Sequence, residues 1–575
     1  MNNTDIARIF DEIADLLELQ GANPFRIRAC RNAARMLGTM GTLGRSVATM
    51  VERHENLDSL PGIGPDLAGK IGEIVATGSC ALLERLRADV PAGLGTMLRL
   101  PNLGPKRVRA LHDELGVRTI EQLHAAAQAG RIQTVHGFGP RLQQQILAAT
   151  RTQLPNIARI RLDAAEAAAQ PLLARLRKLR GVVRAEVAGS LRRRKDSIGD
   201  LDLLVQSARG KQVVDAFVHH DDVREVLAAG ATRASVKLKG GLQVDPRIVP
   251  SASFGAAWLY FTGSKAHNIA LRRLAQQRGL KINEYGVFRG SEKVAGRDEA
   301  DVYAAVGLPP IAPELREDRG EIEAARRGRL PVLIELADLR GDLHVHTRDS
   351  DGVDDLDALV AAARAHGLSY LAVADHSQRL ALAHGLGATR LARQIERIER
   401  LNEHLAGFTV LKGIEVDILE DGRLDLPDSI LQRLDLVVAA VHQRFDLARE
   451  RQTERLLRAM DHRHFTILAH PTGRLIGERA AYAVDLPRLI RHARQRGCFI
   501  ELNAHPSRLD LDDSGCMAAK AEGVLISINA DAHSAAELDH LRFGIGQARR
   551  AWLQATDVLN ARPLEALRPL LARTM

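Results

Sequence analysis

Aromatic residues make up only 3% of this 575-residue chain, and cysteine occurs four times. Cys30, Cys80, Cys498 and Cys516 show no Cys-x-x-Cys spacing. That argues against a thiolate-bound zinc and a disulfide framework, and fits a reducing compartment. No apolar run reaches the length of a membrane span, and the polar start MNNTDIARIFDE has no signal-peptide core. A cytoplasmic protein with no membrane partner is expected. Lysine is scarce in the carboxy-terminal part, where only Lys412 and Lys520 lie beyond residue 340. The net charge of +9 favours a polyanionic partner, and the lysine distribution directs sustained phosphate contact to the front half. A chain of this length and 45% hydrophobic content needs several domains rather than one core.

What the carboxy-terminal part does have is metal ligands. His344, His346 and Asp351 stand in DLHVHTRDSDG, His376 in ADHS, Glu415 in GIEVD and His442 in AAVHQR. His470 follows in LAHP, and Asp531 and His533 close the series in INADAH. Nearly all follow short apolar runs of strand type, and ligands at the ends of successive strands converge on one mouth of a strand–helix barrel. Imidazole and carboxylate donors without cysteine suit Zn²⁺, Mn²⁺ or Fe²⁺. The pattern resembles the PHP (polymerase and histidinol phosphatase) phosphoesterases over roughly residues 339–575. All nine positions of that family's trinuclear site are filled, which implies up to three Mn²⁺ or Zn²⁺ ions and an active phosphoesterase.

Three segments near the amino terminus repeat: LPGIGPDLAGKI (60–71), LPNLGPKRVRAL (100–111) and VHGFGPRLQQQI (135–146). Glycine permits a tight turn and proline suits the first helical position, so turn amides face outward as a phosphate seat. Gly62, Gly64, Gly104, Lys106, Gly137 and Gly139 are the expected DNA-binding positions. The repeats resemble the helix-hairpin-helix, which grips the DNA backbone without reading bases. In the second copy Asn102 replaces the first glycine. Upstream, GANPFRIRACRNAARML (21–37) reads as a basic helix with Arg26, Arg28 and Arg31 near one another. With the first hairpin it resembles the amino-terminal lyase domain of family X DNA polymerases. That resemblance implies a Schiff-base role for Lys70, and a phosphate contact is the alternative.

In GSLRRRKDSIGDLDLLV (189–205), Asp200 and Asp202 alternate on a strand and face one way. LQVDPRIVP adds Asp245 on a neighbouring strand. Three carboxylates can hold two Mg²⁺ ions for in-line attack on a nucleoside triphosphate. Gly189 and Ser190 provide a close approach to the triphosphate, and Arg193 adds charge for the leaving group. The arrangement resembles the nucleotidyltransferase superfamily.

YFTGSKAHN (260–268) resembles the dNTP-facing segment of family X polymerases. The resemblance implies that Tyr260 and Phe261 shield the sugar and Asn268 contacts the base, within a nucleotide site that includes Gly263 and Ser264. It also implies that Arg272 touches the template strand.

The expected fold is multidomain: helical helix-hairpin-helix regions, an α/β nucleotidyltransferase palm with thumb, and a (β/α)-barrel-like PHP domain. The expected boundaries are 1–88 (lyase-like), 89–152 (fingers-like), 153–250 (palm), 251–318 (thumb), 319–338 (a solvated, partly helical linker) and 339–575 (PHP). This order resembles the bacterial family X DNA polymerases along almost the whole chain. The resemblance implies dNTP addition in gapped or nicked double-stranded DNA by a monomer. It also implies a 3′–5′ exonuclease and an abasic-site endonuclease in the PHP domain. The alternative is a PHP nuclease or small-molecule phosphatase carrying a non-catalytic DNA-binding front half.

Overall fold

The computed structural model describes residues 3–42, 47–53, 55–60, 62–90, 94, 97, 98, 100, 103–157, 159–380 and 383–575. The chain divides into two compact units, Met1–Ala158 and Arg159–Met575.

The first unit is helical throughout its described residues. Helix Asn3–Leu19 buries Ile6, Phe10, Ile13 and Leu17, a stripe at helical spacing. Helix Pro24–Thr42 follows, with Ala33, Ala34 and Leu37 buried in the same core. Its Arg31 reaches Asp11, Asp15 and Glu18 of the first helix. The expected basic cluster is therefore smaller than the sequence indicated: Arg26 and Arg28 remain exposed, whereas Arg31 is neutralised internally.

Helices Pro65–Thr77, Pro105–Leu115 and Pro140–Ile157 each begin at the proline of a repeat. The apolar residue two places before each proline is buried, as Ile63, Leu103 and Phe138. Its N–H returns to the carbonyl three residues earlier in every copy: Leu60 at 3.0 Å, Leu100 at 3.2 Å and Val135 at 3.0 Å. Helix Pro140–Ile157 runs on past residue 152, so the unit closes at Ala158.

The second unit opens with a five-stranded sheet. In spatial order its strands are Val182–Val187, Asp200–Ser207, Gln243–Val249, Ala234–Leu238 and Val223–Ala229. Leu201, Leu203 and Val205 point to one face, against helix Leu162–Lys178. Leu204, on the opposite face with Asp200 and Asp202, packs on Phe254 and Ala257 of helix Phe254–Thr262. Helix Lys265–Gln276, a small antiparallel sheet and helix Glu299–Ala305 complete the thumb region.

One carboxylate ties these parts together. Glu299 meets Arg192 of the GSLRRR segment at 2.6 Å and Arg316 at 2.7 Å. Arg192 also lies 3.4 Å from the centre of the Trp258 ring.

The linker differs from its expectation. Its helix, Glu321–Arg326, is present, but Glu321 is fully buried. Its carboxylate meets His267 Nδ1 at 2.7 Å and accepts the N–H groups of Asp318 and Arg319. Burying a charge needs such partners, and here they fasten the segment to the thumb. At its far end Ile334 enters the core of the carboxy-terminal region.

That last region is built from short parallel strands in a three-stranded and a five-stranded sheet. Parallel bridges His376↔Glu415 and Val345↔Ala532 carry each sheet into the other, closing a barrel-like ring. It is joined tightly to the palm: Leu509 and Phe543 belong to the palm core. Arg194 and Arg542 converge on Glu166, and Gln547 Nε2 donates to the Arg194 carbonyl at 2.7 Å.

Burial alone would raise the Glu299 carboxyl, but Arg192 and Arg316 hold it down at about 2. Its stabilising contribution is thus present above the ordinary carboxylate range and lost as pH falls towards that value. Glu299→Gln leaves two buried guanidinium groups without a counter-charge. It is expected to cost on the order of 3 kcal/mol in urea unfolding at pH 7, less in acid.

Candidate functional site

Strands Asp200–Ser207 and Gln243–Val249 run parallel, and their register sets Asp202 directly opposite Asp245. Asp200 is two residues from Asp202 and so shares its face. Burial, then Asp200 and Asp245, push the Asp202 carboxyl up to about 7. Asp200 is raised by burial and by Asp245. Like charges that raise one another in this way are relieved by a divalent cation. Gly189, at φ 59, faces them, and a Cβ there would collide with the Asp202 carboxylate. Only glycine fits that approach. Ser190 follows on the short helix Gly189–Arg192.

The other expected nucleotide residues make the following contacts. Arg193 is held by Glu317, at 3.0 Å, and by the Thr262 carbonyl. Glu317 is shared with Arg550 of the carboxy-terminal region at 2.9 Å, and Arg550 also donates to the Arg193 carbonyl at 2.8 Å. Tyr260 and Phe261 meet edge to face at 5.1 Å, with Arg247 over the Phe261 ring. The Asn268 side-chain amide donates to the Tyr260 carbonyl at 2.7 Å, while its Oδ1 is buried without a partner. Gly263 ends the Tyr260 helix at φ 70, and Ser264 caps the next helix by accepting the His267 N–H. Arg272 lies one turn beyond Asn268, donating to its carbonyl at 3.2 Å.

In the barrel-like region Glu415 lies at the centre. Its Oε2 is 2.7 Å from His376 Nδ1, 3.5 Å from His344 Nε2 and 3.7 Å from His346 Nε2. Its Oε1 is 2.9 Å from His470 and 3.3 Å from His442. Asp531 meets His346 at 3.1 Å, and Asp351 lies between His376 (3.4 Å) and His533 (3.5 Å). Three overlapping groups suited to a cation result: His346, Asp351, His376 and His533; His344, His346 and Asp531; His376, Glu415 and His442. His344 Nε2, His346 Nδ1, His376 Nδ1 and Glu415 Oε2 are buried and, close as some of them lie to one another, none makes a hydrogen bond of good geometry. Polar atoms are seldom left so in a protein interior. Their convergence fits divalent cations.

Burial works against charge here, yet the carboxylates prevail on several rings. Although burial would lower His376, Glu415 and Asp351 raise it to about 10. Asp351 and Asp531 likewise overcome burial to raise His533 to about 9. His346 goes the other way, lowered to about 3 by burial and by His533 and His376.

Two groups outside the expected set orient these rings. Glu501 takes His344 Nδ1 at 2.8 Å and accepts the His470 backbone N–H at 2.7 Å. Asp417 meets His442 Nδ1 at 3.2 Å. Each contact leaves the other ring nitrogen facing the cluster. Strand alternation carried the signal: Asp417 is two residues after Glu415, and Glu501 shares its strand face with Asn503.

In the amino-terminal unit, nothing lies within 4 Å of a Cβ built at Gly62, Gly64, Gly104, Gly137 or Gly139. The turn backbones therefore stand open to an incoming phosphate. Asn102 lies outside the described residues, but Gly104 caps its helix in the same extended geometry as Gly64. Lys106 is exposed. Lys70 Nζ is held by the Asp66 carboxylate and carbonyl.

Residues 1–80 match the helix-hairpin-helix domain family, 94–152 the SAM-like helix-hairpin-helix tandem, 257–317 the DNA polymerase beta thumb and 342–505 the PHP domain. The DNA polymerase/3′–5′ exonuclease PolX of Bacillus subtilis (strain 168) is 38% identical over 577 residues, covering 100% of both chains. A probable phosphatase of Thermoanaerobacter sp. (strain X514) is 28% identical over 232 residues, 38% of this chain and 89% of that protein. A probable phosphatase of Syntrophotalea carbinolica (strain DSM 2380 / NBRC 103641 / GraBd1) is 27% identical over 230 residues, with 38% and 86% covered.

The raised Asp202 carboxyl binds its proton more tightly in the folded chain. Stability in chelator should therefore decline as pH rises from the ordinary carboxylate range through about 7. Asp202→Asn should remove that decline. It is expected to be more stable than wild type at pH 8 by on the order of 1 kcal/mol, with the two converging in acid, in thermal melts.

The raised His376 and His533 carry protons at neutral pH that a cation must displace. Metal uptake at pH 7 should release protons, and affinity should rise up to about pH 10, where His376 gives up its proton. Calorimetric titration in two buffers of different ionisation enthalpy checks this; a heat independent of buffer would contradict it.

Proposed function

The chain belongs to the PolX family of bacterial DNA polymerase/3′–5′ exonucleases that carry a PHP domain, and from that premise we propose two activities on one substrate. The palm adds dNTPs to a primer 3′ end in gapped or nicked double-stranded DNA, and the PHP centre removes 3′-terminal nucleotides and cuts at abasic sites. The observation that carries this reading is the carboxylate register, Asp202 opposite Asp245 with Asp200 on the same face.

When bound, Mg²⁺ at Asp200, Asp202 and Asp245 would assist attack by the primer hydroxyl, and Mn²⁺ or Zn²⁺ at the nine PHP ligands would polarise a phosphodiester for hydrolysis. The chain's own groups do the rest. Gly189 keeps the space beside Asp202 clear for the triphosphate, and Ser190 lies beside that approach. Arg193 exchanges Glu317 for the departing pyrophosphate, and Glu317 keeps Arg550 as its partner. Tyr260 and Phe261 wall the sugar, with Gly263 and Ser264 holding the turn after them. Asn268 Oδ1, buried and unpartnered, is the group that receives a donor from the nucleotide, and Arg272 meets the template strand. The hairpins at Gly62, Gly64, Gly104, Lys106, Gly137 and Gly139 hold the backbone of the DNA.

Lys70 contacts a 5′-phosphate in this reading. A Schiff-base lyase needs an amine free to attack, whereas Lys70 Nζ is held by the Asp66 carboxylate and carbonyl. The protein works as a cytoplasmic monomer on DNA. A small-molecule phosphatase role for the PHP half is the second reading, favoured by its similarity to the probable phosphatases.

The test is a 5′-labelled primer in a gapped, 5′-phosphorylated duplex with Mn²⁺, with and without dNTPs. Asp202→Ala is expected to lose extension and keep shortening, and His344→Ala the reverse. Each loss should be on the order of 100-fold or more. A wild type that hydrolyses histidinol phosphate but never shortens the primer would favour the phosphatase; one that never extends it would remove the polymerase.

A further inference from the structure

A second set of ligand-type side chains lies outside the nine. His505 follows strand Phe499–Asn503, and Glu537 and His540 lie on the 3-10 helix Ala535–His540. One donor atom from each of the three lies within 4.8 Å of one from each of the others. Their rings and carboxylate are already oriented. His505 Nδ1 is engaged by the Ser507 hydroxyl at 2.8 Å and by the Ser507 N–H at 3.3 Å, which leaves its Nε2. Glu537 gives Oε2 to the His533 N–H at 2.7 Å, which leaves its Oε1. His540 Nδ1 is buried with no hydrogen-bond partner, and its ring meets that of His505 edge to face at 4.9 Å.

We propose that His505, Glu537 and His540 form an additional zinc-type site, separate from the nine-ligand cluster, which clamps together the two segments that enter the palm core. Two imidazoles and one carboxylate, completed by water, make a chemically reasonable zinc set. The clamp role follows from what each ligand adjoins. Leu509 donates its N–H to the His505 carbonyl at 3.0 Å, and the His540 ring lies 6.2 Å from that of Phe543. Leu509 and Phe543 are the buried side chains that this region contributes to the palm core, with Ile476 packed against it.

The charges facing the site permit a cation. Asp531 and Glu537 act on His505 against His540 and Arg508; Glu537, Asp163 and Asp539 act on His540 against Arg542. Both guanidinium groups have other partners, Arg508 with Asp531 at 3.4 Å and Arg542 with Glu166 and Asp539. Burial lowers both imidazoles, His505 to about 4, so both are neutral as ligation requires.

The test uses the full chain, stripped by chelator and reloaded with Zn²⁺ alone. Metal is counted per chain by elemental analysis, and histidine carbethoxylation is mapped by peptide mass spectrometry. His505→Gln and His540→Gln should each bind one zinc fewer than wild type. In wild type, zinc should shield His505 and His540 from the reagent, and should still do so in His344→Ala, where the larger cluster is damaged. The wild-type footprint needs no variant to fold. Equal zinc counts in wild type and both glutamine variants, or modification of His505 and His540 indifferent to zinc, would overturn the proposal.

Discussion

Glu415 stands within 3.7 Å of five imidazoles, those of His344, His346, His376, His442 and His470. So many buried polar groups in so little space hold only where the backbone is already fixed, because the side chains alone would turn towards water. Short buried parallel strands supply that rigidity, and Glu501 and Asp417 then set which nitrogen of His344 and His442 faces inward. The palm solves the converse difficulty in the same way. There the charges are alike, and the ladder between Asp200–Ser207 and Gln243–Val249 prevents Asp202 and Asp245 from moving apart.

Both centres are parts of one compact unit. Arg193, which borders the palm carboxylates, shares Glu317 with Arg550 from the far end of the chain. Arg194, its neighbour, shares Glu166 with Arg542. The segment from Gly189 to Arg194 is therefore held from both sides, by the thumb through Arg192 and Glu299 and by the carboxy-terminal region through Arg550 and Gln547.

Much of this could be read from the residues. The ligand series was legible because a histidine or carboxylate at the end of an apolar run is costly to bury unless it meets a partner there. The Gly-Pro turns were legible because backbone geometry restricts residue choice most strongly at such positions. Asp200 and Asp202 followed from alternation along a strand, and Asp245 from a second run read as the neighbouring strand. What stayed hidden was long-range pairing. Nothing in LRRRKDS tells which arginine meets Glu299, Glu317 or Glu166, since any surface arginine looks the same in one dimension. For the same reason Arg31 read as free positive charge although Asp11 and Asp15 neutralise it. Glu321 was concealed by its setting: a charged stretch reads as solvated, and only the fold brings His267 to it.

The joint between the palm and the PHP region bears on how such a chain changes over generations. Linkers are commonly the places where genes are cut and rejoined, since most tolerate a new neighbour. Here the linker buries Glu321 and Ile334, and the PHP region lends Leu509 and Phe543 to the palm core. A chimaera formed by recombination near residue 330 would inherit one half of a fitted surface without its counterpart. Its palm core would lack apolar volume, and Glu166 would lose one of its two arginines. Inheritance of the two halves together is thus favoured by packing alone, before any advantage of having both chemistries in one molecule.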